Sequence, residues 1–333
     1  MLLYMIQTEE DLKEAITELA EMRESEVLVY FTGDKNPVQN FGTAIALDTL
    51  PLFYQHFLKL GKRKKISLFL YSQGGHLNAP WPIVNLIREY CEELEIIIPS
   101  KALSAATLIS LGADKILMTP FSQLSPIDPT GTFQIDEKRS ENISIEDVTG
   151  YISFAREKIG ISEQSARVEI LKKISDQIRP SVLGSVNRTH SLIRGLAKKL
   201  LNLHVEVLEE ERIQKIVDNL VEKLFSHDHL INRKEAQNIG LREIIVFATE
   251  DEERIINSIF RFYESKLGLD VDFNPLEILG ENTEVDYEIV RAIIESSKQK
   301  NYLVSKYKIS KHEPIPGQIS VNVLPNYIKW ETL

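Results

Sequence analysis

The sequence predicts an α/β protein built around a largely parallel sheet, and three features point there. Between residues 27 and 119, compact apolar runs alternate with helical patterns. The helices between them carry start and stop residues, and the strand, helix, strand rhythm calls for right-handed crossovers rather than hairpins. Val27–Thr32 (VLVYFT), Ile66–Tyr71 (ISLFLY), Leu94–Pro99 (LEIIIP) and Lys115–Thr119 (KILMT) have the length and the β-branched or aromatic content of buried strands. Asp48 is placed to cap a helix through LPLFYQHFLKL that stops at Gly61. Pro82 suits the first turn of the next helix. That helix sets Ile83, Leu86, Ile87, Tyr90, Cys91 and Leu94 on one core-facing stripe.

Beyond Pro129 the pattern changes. GTFQIDEKRSENIS is polar and turn-rich and reads as an exposed segment or lid. Helices are expected at 145–159, 162–178, about 181–201 and 205–225, with breaks at Gly160 and Pro180. A last α/β piece follows: helix RKEAQNIG, strand REIIVFA and helix DEERIINSIFRFYESKLG. The chain closes with two β-rich runs, YLVSKYKI and QISVNVLP, joined by HEPIPG as a hairpin or edge ribbon. The expected division is an α/β core at 1–135, a helical segment at 136–225, the remainder of the core at 226–270 and a β-rich extension at 271–333. No internal repeat interrupts it.

Composition narrows the function classes. With 333 residues and 43% hydrophobic content the chain can bury a large core. A net charge of -10 leaves no basic stripe for phosphates, so nucleic acid is not an expected partner. The local run GKRKK at 61–65 reads as solvated surface. A single cysteine, Cys91, forms no intrachain disulfide and suits a reducing compartment as a buried helix-face thiol. The start, MLLYMIQTEEDLKEAI, meets acidic residues too early for a signal segment, and no run approaches about 18 apolar residues. The expectation is a soluble cytoplasmic protein with no integral membrane segment.

Two short motifs carry the chemistry. Gly74–Gly75 follows the strand 66–71, where the chain must turn and where backbone amides can approach a ligand closely. A tight turn explains the pair equally well, and no G-x-G-x-x-G spacing suggests a dinucleotide. Ser104 stands at the start of SAATLISLGA, where it either caps the helix or, beside the small Ala105 and Ala106, presents a hydroxyl next to an amide that holds an oxyanion. Ser100, Ser110, Ser122 and Ser125 lack that combination. His227 and His229 flank Asp228 and share a face if the chain is extended. A metal pair is one reading, with no third ligand evident; the others are base, substrate contact and surface or hydrogen-bonding residue. His190 reads as a structural helix residue. Asp128, in SPIDPTG, reads as a loop-shaping aspartate or a substrate contact. No cofactor or metal is called for.

YSQGGHLNAPWPIVNLIREY followed by ALSAATLISLGADKILMTPFSQLSPIDPTG resembles the serine dehydrogenase proteinase family, relatives of signal peptide peptidase A within the Clp protease and crotonase fold. SVNRTHSLIRGLAKKLL and HDHLINRKEAQNIGL extend the likeness over most of residues 25–245. The resemblance implies a Clp/crotonase-like spiral of β-β-α units with an added helical segment and a C-terminal β hairpin. It also implies a serine-type endopeptidase acting on peptide or protein, with Ser104 as nucleophile, Gly75 and Ala105 as oxyanion donors, and assembly into a homo-oligomer through 145–225. Where Clp proteases present a histidine this chain has Ile127, which speaks against a Ser-His-Asp triad. Relatives of signal peptide peptidase A use a downstream lysine, for which Lys158 is the first candidate, His227 or His229 the second, and Lys138, Lys198 and Lys199 weaker ones. Two rivals remain: a non-catalytic scaffold that binds peptides or partner proteins, and a crotonase-like enzyme acting on acyl thioesters.

Overall fold

The computed structural model describes residues 6–34, 43–127, 130–134, 140–144, 150–152, 154–160, 163–223, 229–315 and 318–333. Helix α1 (Glu9–Arg23) starts at a capping box in which Thr8 Oγ1 accepts from Asp11 N–H at 3.1 Å and Asp11 Oδ2 accepts from Thr8 N–H at 2.9 Å. It then buries Leu12, Ala15 and Leu19 on one stripe. Strands β1 (Glu26–Thr32), β2 (Arg63–Tyr71) and β3 (Cys91–Ile98) are buried over most of their length on both faces, which explains their continuous apolar runs. With β5 (Lys115–Met118) and β10 (Ile245–Phe247) they form the parallel half of the main sheet.

The helices α2 (Leu50–Leu60), α3 (Pro80–Arg88) and α4 (Ala105–Leu111) cover one face together with the helix Pro180–Leu201. Helix α1 and the helix Glu250–Lys266 cover the other. Side chains such as Phe53, Phe57, Leu68 and Ile96 are fully buried in the first layer, and each contributes roughly 2 kcal/mol.

After β1, β2, β3 and β5 the chain makes one more short pairing, outside the main sheet. Ile45 bridges Gly75, and Ser72 bridges Ala102. Strand β4 (Lys101–Ala102) pairs with β6 (Gln123–Leu124), which pairs in turn with β9 (Ile231–Asn232). The β-β-α spiral expected from the sequence is therefore borne out. These short pairings place the loop after β2 directly against the start of α4.

Several expectations are corrected. Cys91 and Leu94 do not extend the α3 stripe: the helix ends at Arg88, and Cys91 opens β3 opposite Arg63. EYCEELEI suits either period, and pairing with β2 decides it. Cys91 Sγ donates to the Ile87 carbonyl at 3.4 Å, and burial pushes the thiol up to about 12. Asp48 is not the cap of α2. The chain enters through a 3-10 turn, Leu47–Thr49, and the Asp48 carboxylate accepts from the Trp330 indole N–H at 2.9 Å. GTFQIDEKRSENIS is an antiparallel hairpin, β7 (Thr130–Gln134) with β8 (Ser140–Ser144), where it is described.

Of the expected helix 145–159, residues 150–152 are helical, Phe154–Lys158 form a π-type turn and Ile159 is outside it, while 145–149 and 153 lie outside the described residues. Helices Gln164–Gln177 and Pro180–Leu201 lie close to their expected bounds, whereas the next starts at Glu210 rather than 205.

The C-terminal ribbon exists, β12 (Gln299–Ile315) pairing with β13 (Gln318–Thr332). It is joined by a strand the sequence analysis did not find, β11 (Glu284–Ser296), which pairs antiparallel with β1 and makes these strands a continuation of the main sheet. Among the described residues that sheet has the order β10-β5-β3-β2-β1-β11-β12-β13. No helix among them is long and apolar enough to cross a membrane.

Candidate active site

Two residues separate the end of β4 from the start of α4, and the second of them, Ser104, makes the turn with φ 51° and ψ -112°. A side-chain-bearing residue held there costs about 1–3 kcal/mol, so the surroundings must enforce it. They do so partly through Ser125, whose Oγ accepts from Ser104 N–H at 2.8 Å and donates to the Pro126 carbonyl at 2.8 Å. Thr107 ties the same turn back, its hydroxyl donating to the Ala102 carbonyl at 2.8 Å. Ser104 stands at the N-cap position, yet its side chain makes no capping bond. The capping explanation of this serine is therefore set aside, and its hydroxyl is left for other work.

The glycine pair meets this turn at contact distance. Gly74 has φ +114°, and a Cβ there would lie 2.8 Å from Ser104 Cβ and 3.3 Å from Ala105 N. Only glycine allows both the conformation and the approach. Gly74 N–H donates to Ser72 Oγ at 3.0 Å and is already used. Gly75 differs. In its bridge to Ile45 the bonds run from Ile45 N–H to the Gly74 carbonyl at 2.9 Å and from His76 N–H to the Ile45 carbonyl at 2.8 Å. The parallel pattern turns the amide of Gly75 itself away from Ile45, towards the open side. Gly75 is exposed, whereas Gly74 is buried. Ala105 supplies the first amide of α4, which has no acceptor within the helix. Among the described residues neither the Gly75 nor the Ala105 N–H finds a backbone acceptor.

Ser104 lies in a cleft of about 430 Å³. Ser100, Lys101, Gln123 and Ser125 give it polar walls, and Phe121 and Leu230 an apolar rim. Beside the cleft, Asp34 gathers three segments. Lys101 Nζ donates to Asp34 Oδ2 at 2.7 Å, Gln73 Nε2 donates to it at 2.6 Å, and the Tyr71 hydroxyl donates to Oδ1 at 3.0 Å. Burial, then the adjacent Asp34 charge, raises the Tyr71 phenol far above its ordinary range, so it stays a donor. One carboxylate thus joins the end of β2, the residue before the glycine pair and the strand leading to Ser104. Sequence reasoning missed Asp34, Gln73 and Lys101, because only the sheet brings them together. For Gln73 a signal existed, its place next to Gly74.

The candidate bases are placed less fully. His229 Nε2 lies 2.8 Å from Glu235 Oε1 and does not line the cleft, although its neighbour Leu230 does. The Lys158 side chain, His227, Asp128 and Lys138 lie outside the described residues. Lys198 pairs with Glu210 at 3.2 Å and Lys199 sits over the Trp81 ring, so both belong to the helical layer. Ile127 is buried, with its N–H on the Leu220 carbonyl at 3.1 Å. No cluster of three or more potential metal ligands occurs among the described residues.

Residues 54–143 match the family model of the ClpP-like SDH-type serine proteinases, which bears out the resemblance read from the sequence. Among curated relatives, the chain is 27% identical over 180 residues to the uncharacterized protein MJ0137 of Methanocaldococcus jannaschii, covering 54% of each chain. It is 20% identical over 176 residues to MJ1495 of the same organism, covering 53% of this chain and 51% of that one. The chain spans about half the length of the curated relatives it matches. Similar solved structures include a membrane-bound stomatin-specific protease, 1510-N, in complex with a substrate peptide, with TM-score 0.38, 19% identity and coverage of 63% of this chain and 73% of that one. ClpP1 from Listeria monocytogenes gives TM-score 0.37 and 16% identity, with 71% and 98% covered.

Proposed function

We propose that this chain is a serine peptidase that cleaves peptide bonds through an acyl-enzyme on Ser104. The observation that supports the reading is the close approach of Gly74 to Ser104, a residue whose side chain makes no capping bond, with the Gly75 and Ala105 amides on either side of that contact in the chain and without a backbone acceptor among the described residues. Ser104 Oγ attacks the peptide carbonyl while its proton passes to a base. The amides of Gly75 and Ala105 take up the negative charge that develops on the carbonyl oxygen. The intermediate collapses as the base returns the proton to the leaving amine, and water then releases the acyl group by the same steps in reverse order.

For the base we assign Lys158 first and His227 or His229 second. Asp128 belongs to the substrate-binding side of this proposal. Assembly into homo-oligomers through the segment 145–225 is part of it, as is a cytoplasmic location.

The test is covalent labelling. A fluorophosphonate probe is expected to modify Ser104 in the intact protein and to leave Ser104→Ala unmodified, while casein or peptide turnover disappears in that variant. Wild-type protein that neither labels nor cleaves would point instead to a peptide-binding scaffold or an acyl-thioester enzyme of the same fold.

A further inference from the structure

The walls of the Ser104 cleft hold polar groups that no described residue engages. Among the described residues the Gln123 carboxamide makes no side-chain hydrogen bond, and its buried Oε1 has no partner. Leaving such an atom dry and unpaired costs about 1–3 kcal/mol, which a bound partner would recover. Ser100 is almost fully buried, and its backbone carbonyl is used by Gln123 N–H at 2.6 Å, whereas its hydroxyl makes no bond to any described group. Lys101 brings a positive charge to the same wall, but Asp34 neutralises it at 2.7 Å. With that charge paired, no described residue lining the cleft offers a free counter-charge to an acidic or a basic side chain. The rim residues Phe121 and Leu230 are 61% and 51% exposed, apolar surfaces for a hydrocarbon stem, with the Phe121 ring also able to take the face of an amide.

We propose that this cleft selects the residue whose carbonyl Ser104 attacks, and that the side chain it takes is an uncharged carboxamide, glutamine before asparagine. A carboxamide presents a donor at one end and an acceptor at the other, so it complements Gln123 and the Ser100 hydroxyl together. The longer stem of glutamine reaches past the apolar rim, which asparagine spans less well. A leucine of similar bulk fills the space and leaves the Gln123 carboxamide without a partner, a mismatch that polar sites penalise. The inference rests on the peptidase reading, since it assumes that an acyl residue lies beside Ser104.

The experiment separates the two. Peptides ending in glutamine, asparagine, leucine, glutamate or lysine are titrated against Ser104→Ala protein by calorimetry, which reads the cleft without chemistry. The glutamine peptide is expected to bind about fivefold more tightly than the leucine one. Gln123→Met should erase or reverse that ratio, and Ser100→Ala should reduce it, with circular dichroism verifying that each variant is folded. In wild-type protein, matched substrates cleaved after glutamine should show the same order in kcat/KM. Equal or tighter binding of leucine, or a glutamine preference unmoved by Gln123→Met, overturns the selectivity. Selective binding with no labelling of Ser104 keeps the cleft assignment and overturns the peptidase.

Discussion

At the scale of single residues, the backbone of Ser104 links stability to chemistry. Its φ of 51° is a cost that alanine also bears and glycine does not. Ser104→Ala is therefore expected to unfold in urea within about 0.5 kcal/mol of wild type, and Ser104→Gly to be about 1 kcal/mol more stable than Ser104→Ala. Neither should accept the probe. Gly74 fails differently. A methyl group there meets Ser104 Cβ at 2.8 Å in a conformation that side chains avoid. Gly74→Ala should lose about 1–3 kcal/mol and, where still folded, label at least about tenfold more slowly. Labelling at the wild-type rate would show that the glycine pair does not set the nucleophile. The sequence singled out Ser104, Gly74 and Gly75 because small residues at a strand end and a helix start are local signals. Asp34 gave none, since its partners are 37 to 67 residues away.

At the scale of elements, the site is a junction of β2, β4 and α4, and Asp34 is what fastens it. Asp34→Asn keeps one acceptor oxygen, for either the Tyr71 hydroxyl or the Gln73 amide, turns a donor towards the other, and leaves the Lys101 ammonium without its counter-charge. If Asp34 sets the alignment of the glycine loop with Ser104, kcat should fall about tenfold while KM stays within about twofold, since the lost interaction matters in the transition state. A change in KM alone would assign Asp34 to substrate binding. The strands of the parallel half were legible because both faces are buried and their sequences are accordingly apolar. Strand β11 was not. EVDYEIVRAIIES carries charges that deny it that signature, and they are answered only in the fold, Glu295 by Lys300 at 2.7 Å and by the Tyr263 hydroxyl at 3.0 Å. The same reason hid the start of β3, Cys91–Glu93, where Glu92 and Glu93 break the apolar run and Glu93 meets Lys65 at 3.7 Å only in the fold.

At the scale of the molecule, the antiparallel extension is fastened to the parallel core by a buried histidine. His56 on α2 meets Ser296 Oγ at 2.7 Å and Asn301 Oδ1 at 2.9 Å, across the β11–β12 turn. Burial lowers its imidazole to about 4, so the folded state holds it neutral. The unfolded chain takes up that proton first, near 6.5. The associated stability is present in full above that pH and is lost as pH falls towards about 4, amounting to roughly 3 kcal/mol. Urea melts at successive pH values should show the decline, and His56→Gln should flatten it between pH 6.5 and 5. A slope unchanged in the variant would place the acid sensitivity elsewhere.

The sequence by itself determined the α/β class, the parallel strands, the helix Pro180–Leu201, the two motifs around Ser104 and the family they resemble, because all of these are written in local periodicity and in neighbouring small residues. Only the tertiary structure decided that Gly74 touches Ser104, that Asp34 joins three segments, that Cys91 belongs to a strand and that the C-terminal strands continue the main sheet. Each of these is a contact between residues far apart in the chain. It is made by pairing and packing, whose free energy no local pattern records.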